Sequence, residues 1–383
     1  MPDRSWVEKE LSYDNSICQF FGRKRVACAK CVEACPQDAL KAGEYVIELD
    51  PELCNDCGDC VSICPSGALG MKIESRQPIG ERLAECDGSV LVICERETWR
   101  ERVEPDLAVE GKIPPGVEPV PVERIGVLSE VDFAEAVMAS RKAVAVLALG
   151  EADQDRPFVE AARLVGEISA CLFSSRMVRV FTDPETFRSG IAELAESSET
   201  MIPSPPPGPE DEGKREALRR VLKAWLDSRG GEHDEPVVIS HPAYAAVACD
   251  GKKCTLCAAC ANQCKVRSLR VEKDENRVLY HTPIACLDCG VCVALCPEEA
   301  LSSEPGLRLD SSFLSRQELA RSEALHCLEC GRPFSSAERS RRVSQKLLAA
   351  RGEDPVRREL LRLCPECRTK KAFTTHSEWT AAR

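Results

Sequence analysis

The sequence predicts an α+β protein in which two cysteine-rich modules of the same design flank a small α/β domain with a parallel sheet, and a basic tail follows. Three observations predict this arrangement. Twenty-four of the 383 residues are cysteines, and most of them fall in four copies of one spacing pattern. The copies form two pairs, separated by a segment in which apolar strands alternate with helical patterns. Two further C-x-x-C units lie near the end of the chain.

The repeated pattern is Cys-x2-Cys-x2-Cys-x3-Cys, and proline follows it in three copies. The four copies consist of Cys18, Cys28, Cys31 and Cys35; Cys54, Cys57, Cys60 and Cys64; Cys254, Cys257, Cys260 and Cys264; and Cys286, Cys289, Cys292 and Cys296. Three thiolates at such short spacing can wrap one loop around three irons of a cubane cluster. The fourth lies too far round to close the same cube, so it is expected to ligate the cluster of the partner copy. Zinc, which prefers two separated pairs of ligands, is the alternative.

These residues resemble the bacterial two-[4Fe-4S] ferredoxin, and the resemblance covers about residues 15–72 and 245–303. It implies two ferredoxin-like modules, each with two interleaved clusters. The implied ligand sets are Cys18, Cys28, Cys31 and Cys64 for cluster 1; Cys54, Cys57, Cys60 and Cys35 for cluster 2; Cys254, Cys257, Cys260 and Cys296 for cluster 3; and Cys286, Cys289, Cys292 and Cys264 for cluster 4. In each module, a strand is predicted to lead into the second copy, EYVIEL (44–49) and NRVLYHT (276–282).

Two copies depart from the pattern. In the first, nine residues separate Cys18 from Cys28, and they include basic residues at positions 23–25. Cys18 is still the expected ligand, because no other cysteine precedes Cys28; without it, cluster 1 would be [3Fe-4S] or would have another ligand. In the third, Lys265 replaces the proline. Unlike proline, lysine has a backbone N–H that can donate to a cluster sulfur, and it adds a positive charge. Both favour the more negative, reduced cluster, so cluster 4 is expected to have the higher potential of its pair.

The α/β domain is expected over residues 83–200, between a first module at 1–82 and a Pro-rich linker with a helix at 201–235. Strands are predicted at 89–94, 142–149 and 177–182 and helices at 131–141, 158–168 and 185–196, with an irregular excursion at 111–122. This domain weakly resembles the hydrogenase iron–sulfur delta-subunit domain. Its cysteines, Cys86, Cys94 and Cys171, are scattered. Buried free thiols, a two-iron cluster and a flavin held without a motif stay open, and no nucleotide-binding glycine motif is present.

The second module is expected at 236–312, and a helical, basic, zinc-ribbon-like region at 313–383. From position 321 onward, 14 Lys and Arg residues stand against 8 Asp and Glu residues, whereas the whole chain carries a net charge of −12. The two C-x-x-C units can form a tetrahedral site of Cys327, Cys330, Cys364 and Cys367, with His326 as a neighbour. Zinc is expected there; a rubredoxin-type iron and free thiols are the alternatives.

The composition also bears on partners and location. The acidic net charge argues against nucleic acid as the main partner. The longest apolar run, AVAVLAL (143–149), is too short to span a bilayer, and the N-terminus has no signal-peptide pattern. Cysteines in such a chain are expected to be metal thiolates in a reducing cytoplasm. A disulfide-rich exported protein is the alternative.

The expected function is electron transfer by a polyferredoxin-like protein or subunit with four [4Fe-4S] clusters and one zinc ion. The order of the domains resembles the multi-cluster proteins associated with formate dehydrogenase and other molybdenum oxidoreductases, which implies such an enzyme as a redox partner. No general base, nucleophile or substrate pocket can be recognised in the sequence, so catalysis by the chain alone is not expected. The alternatives are an oxidoreductase subunit whose α/β domain binds a flavin or small substrate, and a cluster-based assembly or regulatory factor. The sequence leaves open the electron donor and acceptor, the potentials of the clusters and the oligomeric state.

Overall fold

The computed structural model describes residues 10–22, 28–72, 79–83, 85–86, 88–105, 114–140, 142–150, 154–200, 202–206, 208–209, 212–229, 237–273, 276–352, 354–371 and 373. The basic insert at 23–25 lies outside these residues. Among the helices in the described ranges, none combines the length and the apolar composition needed to cross a lipid bilayer.

The described elements are mostly short. The strands are β1 Leu11–Tyr13, β2 Leu40–Ala42, β3 Ile47–Leu49, β4 Leu69–Met71, β5 Val90–Glu95, β6 Val117–Val122, β7 Ala143–Leu147, β8 Val178–Phe181, β9 Val238–Ile239, β10 Ala245–Cys249, β11 Leu269–Lys273, β12 Asn276–His281, β13 Leu301–Pro305, β14 Leu307–Arg308, β15 Gln317–His326 and β16 Pro333–Ser336. The helices are α1 Lys30–Glu33, α2 Asp59–Ile63, α3 Ile79–Leu83, α4 Arg96–Thr98, α5 Glu130–Ala139, α6 Pro157–Phe173, α7 Pro184–Glu196, α8 Lys214–Ser228, α9 Ala259–Gln263, α10 Val291–Ala294, α11 Ser311–Leu314, α12 Ala337–Arg351 and α13 Pro355–Leu361. A π-helical turn at Trp99–Val103 and 3-10 turns at Ile125–Val127 and Pro283–Ala285 complete the set.

The chain divides into two compact units. The first comprises Met1–Tyr244, Leu287–Cys289 and Pro305–Leu314, and the second comprises Ala245–Cys286, Gly290–Glu304 and Ser315–Arg383. The first cysteine-rich module, the central α/β segment and helix α8 therefore belong to one unit. The five-domain division inferred from the sequence stays a prediction.

The centre of the first unit is a four-stranded sheet in the order β6-β5-β7-β8, and all its neighbouring strands are parallel. This is the parallel sheet that the alternation of strands and helices predicted. The strand Val90–Glu95 is apolar and buried from its first residue to Cys94, as expected for a strand covered on both faces. On one face, Phe187 and Ile191 of α7 pack against Val92 of β5.

Strand β6 corrects the sequence analysis, which expected an irregular segment at 111–122. The residues Val117–Val122 form a regular strand although they include Pro119 and Pro121. The strand lies at the edge of the sheet, where every second N–H points away from the neighbouring strand. Prolines at alternate positions therefore remove no ladder hydrogen bond that the sheet needs.

Helix α8 follows the linker and is held by an apolar stripe. Leu218, Val221, Leu222 and Trp225 recur at helical spacing and are buried. The same packing places the first residues of α8, Lys214 and Arg215, in contact with the first cysteine-rich module.

The second unit is built on an antiparallel sheet in the order β11-β12-β15-β16. Strand β12, Asn276–His281, matches the strand predicted at 276–282. The core of the second unit contains Leu256, Leu269 and Leu279. The basic tail contributes β15 and β16 to the sheet and continues as α12 and α13.

Candidate metal centres

One backbone hydrogen bond precedes the first cysteine of every copy. The amides of Asp14, Asp50, Asp250 and Thr282 donate to carbonyl oxygens at 2.7, 2.8, 2.8 and 2.8 Å, respectively. The first cysteine comes four residues later in each case, at positions 18, 54, 254 and 286. Cys18 therefore occupies the same structural place as the other three, although nine residues separate it from Cys28.

The ligand set of cluster 1 stays a prediction, and electrostatic interactions link several of its thiols. The Cys31 thiol is partly buried, and desolvation together with the charges of Cys64, Cys28, Cys60 and Cys18 raises its pKa. Burial also raises the pKa of Cys28 to about 11, with contributions from Cys64 and from Cys289, which belongs to the same unit. Thiols of both copies thus act electrostatically on one another, which is compatible with interleaved ligation.

The set predicted for cluster 2 lines a cleft of about 330 Å³, whose walls include Cys35, Cys54, Cys57 and Cys60. Burial and the charges of Cys57, Cys35, Cys54 and Cys64 raise the pKa of Cys60. Desolvated thiols with raised pKa values need a cation to become thiolates, and a cluster supplies that charge.

The set predicted for cluster 3 lines a cleft of about 380 Å³ in the second unit, whose walls include Cys254, Cys257, Cys260 and Cys296. Burial raises the pKa of Cys260 to about 12, with Cys254, Cys257 and Cys296 contributing. The amide of Ala300 donates to the Cys296 sulfur at 3.3 Å. An amide aimed at a sulfur is a typical support of a cluster thiolate.

For cluster 4, Cys264 and Cys292 pack against the core of the second unit, next to Cys254 and Cys260. Its complete ligand set, with Cys286 and Cys289, stays a prediction.

Cys249 is a site residue that the sequence analysis missed. Its thiol is hydrogen-bonded to Cys254, and this bond is the main cause that lowers the pKa of Cys254 to about 6. In the first module, Tyr13 stands at the same place, five residues before Cys18, and its side chain hydrogen-bonds to that thiol. The signal available in the sequence was this shared offset of five residues from the first ligand.

The widths of the sites separate two kinds of metal centre. Every cysteine is a free thiol. Within the part of the chain that the structure describes, the tail set of Cys327, Cys330, Cys364 and Cys367 is the one group whose ligand atoms all lie within 4.8 Å of one another. Four thiols around one ion lie closer together than four thiols around a cluster of four irons. The tail set therefore fits a single ion.

The tail set has the dimensions of a tetrahedral thiolate site. Cys330 Sγ and Cys364 Sγ are 3.8 Å apart, and metal–sulfur bonds of about 2.3 Å at tetrahedral angles place sulfurs about 3.8 Å apart. Burial opposes ionisation of Cys327, but the backbone amides of Cys330 and Cys364 outweigh it and lower its pKa to about 6. His326 Nδ1 lies 2.9 Å from the Gly331 carbonyl oxygen, so this nitrogen is engaged outside the thiol group.

The cysteines of the α/β domain do not join a metal group in the described residues. Cys94 is fully buried in β5. Cys86 Sγ lies 3.2 Å from the Arg82 carbonyl oxygen, and Cys171 lies on α6. Burial raises the pKa of all three thiols. Raised pKa values favour unreactive thiols over a two-iron cluster.

The carboxyl edge of the parallel sheet contacts the loop that carries Cys54, Cys57 and Cys60. Arg124, just after β6, donates to the Asp56 carbonyl oxygen at 2.6 Å. Arg156, at the start of α6, binds the carboxylate of Asp59 at 3.0 Å. A Cβ added to Gly126 would lie 2.3 Å from the Cys57 carbonyl oxygen, so the two segments are in direct contact.

A second cationic group contacts the backbone around Cys64. Lys214 Nζ donates to the Ser62 carbonyl oxygen at 2.6 Å, and Arg215 Nε donates to that of Pro65 at 3.1 Å. Lys214 also forms a buried ion pair with Glu130 at 3.0 Å. The Tyr244 hydroxyl donates to Glu130 at 2.7 Å, and the Arg215 guanidinium stacks 3.8 Å from the Tyr244 ring. This network links α5 and α8 to the Cys64 loop.

The tail contacts the loop of the third set within the second unit. Ser336 Oγ donates to the Thr255 carbonyl oxygen at 2.6 Å, and Arg342 donates to that of Lys252 at 2.7 Å. Arg342 also forms an ion pair with Glu298 at 2.9 Å.

Comparisons with known proteins agree with this geometry. The model of the 4Fe-4S dicluster domain matches residues 24–68 and 253–300. One subunit of an ion-translocating oxidoreductase complex from Methanosarcina acetivorans is 40% identical over 47 residues, 12% of this chain and 18% of that protein. A 7Fe ferredoxin of Hydrogenibacillus schlegelii is 46% identical over 41 residues, 11% of this chain and 53% of that protein. The chain thus spans 18% and 53% of the lengths of these two relatives.

An uncharacterized ferredoxin of Methanocaldococcus jannaschii is 34% identical over 65 residues, which are 17% of this chain and 97% of that protein. A relative matched over almost its whole length, the two dicluster matches and the converging thiols lead to one conclusion. The chain belongs to the ferredoxin family.

Proposed function

We propose that this chain relays single electrons between redox proteins through four [4Fe-4S] clusters. The observation that carries the proposal is that one cysteine of a copy lines the same cleft as three cysteines of its partner copy. Cys35 does so with Cys54, Cys57 and Cys60, and Cys296 with Cys254, Cys257 and Cys260. A bound [4Fe-4S] cluster supplies a one-electron couple. The chain itself supplies the thiolates, excludes water and holds charges beside them.

The equivalent place of Cys18 supports a four-cysteine site for cluster 1. The seven-iron ferredoxin among the relatives makes a [3Fe-4S] cluster the second candidate for one site of the module.

For the tail, we propose one zinc ion held by its four cysteines. The spacing of 3.8 Å between Cys330 and Cys364 supports it. The ion would fix the fold of the basic tail, whose helix α12 has no buried residue. The zinc-ribbon-like region at 313–383 and the module boundaries are part of the same proposal.

As partners, we propose the redox subunits of a membrane-associated or soluble oxidoreductase complex, because one relative is named as a subunit of such a complex. A formate dehydrogenase or another molybdenum enzyme is the specific candidate from the sequence. We propose a cytoplasmic protein that does not bind nucleic acid, consistent with its net charge of −12.

The test is the iron, acid-labile sulfide and zinc content of protein purified without oxygen. Four [4Fe-4S] clusters predict about 16 irons per chain, and about 15 irons with a [3Fe-4S] spectroscopic signature would indicate the seven-iron form of the first module. A content near eight irons, with full occupancy of the tail by zinc, would overturn the four-cluster proposal. Rapid electron exchange with a ferredoxin reductase separates a relay from an assembly factor, which is expected to lose its clusters instead.

A further inference from the structure

Asp59 is a buried acidic residue in a predicted cluster loop. It lies between Cys57 and Cys60, both in the set proposed for cluster 2, and its side chain is only 2% exposed. A buried carboxylate beside an anionic cluster is strongly unfavourable unless a cation compensates it. In this protein, the cation comes from the α/β segment, 97 residues away in sequence.

The compensating cation is Arg156. Its Nε lies 3.0 and 3.2 Å from the two carboxylate oxygens of Asp59, and its Nη2 lies 3.0 Å from Oδ1. The same Nη2 lies 3.5 Å from the Cys57 carbonyl oxygen. The guanidinium also stacks on the ring of Phe158 at 5.0 Å, which fixes its position.

Water is largely kept out of this contact. Gly126 lies so close that an added Cβ would meet the Cys57 carbonyl oxygen at 2.3 Å and Asp59 Oδ1 at 2.9 Å. The Arg156 side chain is 19% exposed. Charges in such a place are weakly screened, so the balance of the pair acts on the neighbouring thiolates.

We propose that the Asp59–Arg156 pair sets the reduction potential of the cluster held by Cys35, Cys54, Cys57 and Cys60. The proposal rests on the ligand set given under the proposed function. Reduction adds one electron to the cluster, breaks no bond and makes the site more negative by one charge. Arg156 favours that state and Asp59 disfavours it. By linkage, reduction of the cluster then strengthens its contact with the α/β segment, because a group that favours reduction binds the reduced site more tightly.

The two charges allow a test by sign. Arg156→Gln leaves the Asp59 carboxylate uncompensated and is expected to lower the potential of this cluster. Asp59→Asn leaves the guanidinium uncompensated and is expected to raise it. The potential of the double variant is expected to return toward the wild-type value. The potential of Arg156→Lys is expected to stay close to that value, because the positive charge is kept. The matched control is Arg163→Gln on the same helix, at a side chain 42% exposed and paired with Glu160 at 3.0 Å, which is expected to cause no shift.

The measurement is an EPR-monitored redox titration of the full chain without oxygen. The reduction step that is present in the wild type and absent from a Cys57→Ser variant is assigned to the cluster that Cys57 is proposed to hold. Shifts of equal sign in the two single variants would indicate a loosened loop and overturn the proposal, as would the absence of a shift. If Arg156→Gln loses the cluster altogether, Asp59→Asn and Arg156→Lys still decide the question. Iron content tests the ligand set separately: if Cys57→Ser retains the wild-type iron content, the proposed ligand set is wrong, whatever the titration shows.

Discussion

The buried pair of Glu130 and Lys214 gives the most quantitative prediction for stability. Burial raises the pKa of Glu130, but the charges of Lys214 and Arg215 and the hydrogen bond from Tyr244 outweigh it and lower the pKa from 4.5 to about 2. At about 1.4 kcal/mol for each pH unit, this shift corresponds to about 3 kcal/mol of folding free energy. Because the folded-state pKa is depressed, this stabilisation is complete above pH 4.5 and is lost as the pH falls toward 2.

The perturbation is Glu130→Gln, which keeps the shape but removes the charge. At neutral pH it is expected to lower the free energy of unfolding by about 3 kcal/mol, because Lys214 stays buried without its counter-ion. The control is Glu160→Gln, at a side chain 55% exposed on α6, for which a loss of at most about 1 kcal/mol is expected.

The assay is unfolding in urea without oxygen, followed by the fluorescence of the buried Trp225 on α8 and by the visible absorbance of the clusters. A third variant, Lys214→Met, and the double variant complete a double-mutant cycle. The double variant is expected to lose less than the sum of the single losses, because it leaves neither charge unpaired. Equal losses for Glu130→Gln and Glu160→Gln, or strict additivity in the cycle, would refute the reasoning.

Three further predictions follow from single positions. Gly126→Ala is expected to lower the free energy of unfolding by about 1–3 kcal/mol, since its Cβ would meet the Cys57 carbonyl oxygen at 2.3 Å; Gly251→Ala, with open space around it, is the control and is expected to change little in the same urea assay. Cys18→Ser is expected to change cluster 1 alone, lowering the iron content or converting its EPR signal to that of a three-iron cluster; an unchanged cluster 1 would show that Cys18 is not its ligand. Lys265→Pro is expected to lower the potential of cluster 4 in a redox titration, and an unchanged potential would make this lysine a tolerated substitution.

The sequence predicted the features that depend on local spacing. The ligand sets that the cysteine pattern indicated stay a prediction, and the clefts that Cys35 shares with Cys60 and Cys296 shares with Cys260 support them. Alternating strands and helices likewise indicated the parallel sheet. Local spacing carries this information because the pattern of ligands and the period of the strands are set within a few residues.

The sequence did not predict the charges around the clusters. Asp59 and Arg156 are 97 residues apart, and Lys214 lies 152 residues from the Ser62 carbonyl oxygen that it binds. No local period marks such partners, so they come together only when the first unit folds. Strand β6 was missed for a related reason, because its prolines are compatible with a strand only at a sheet edge.

The position of the Cys54–Cys60 loop has a consequence for the α/β domain. Open parallel sheets bind nucleotides and flavins in the crevice beyond the carboxyl ends of their strands. Here, the segments after β6 and before α6 use that edge to hold Asp56 and Asp59. A flavin bound in the usual manner would have to compete with a piece of the same chain. The edge of the sheet at which such ligands usually bind is thus in contact with another loop of the same chain.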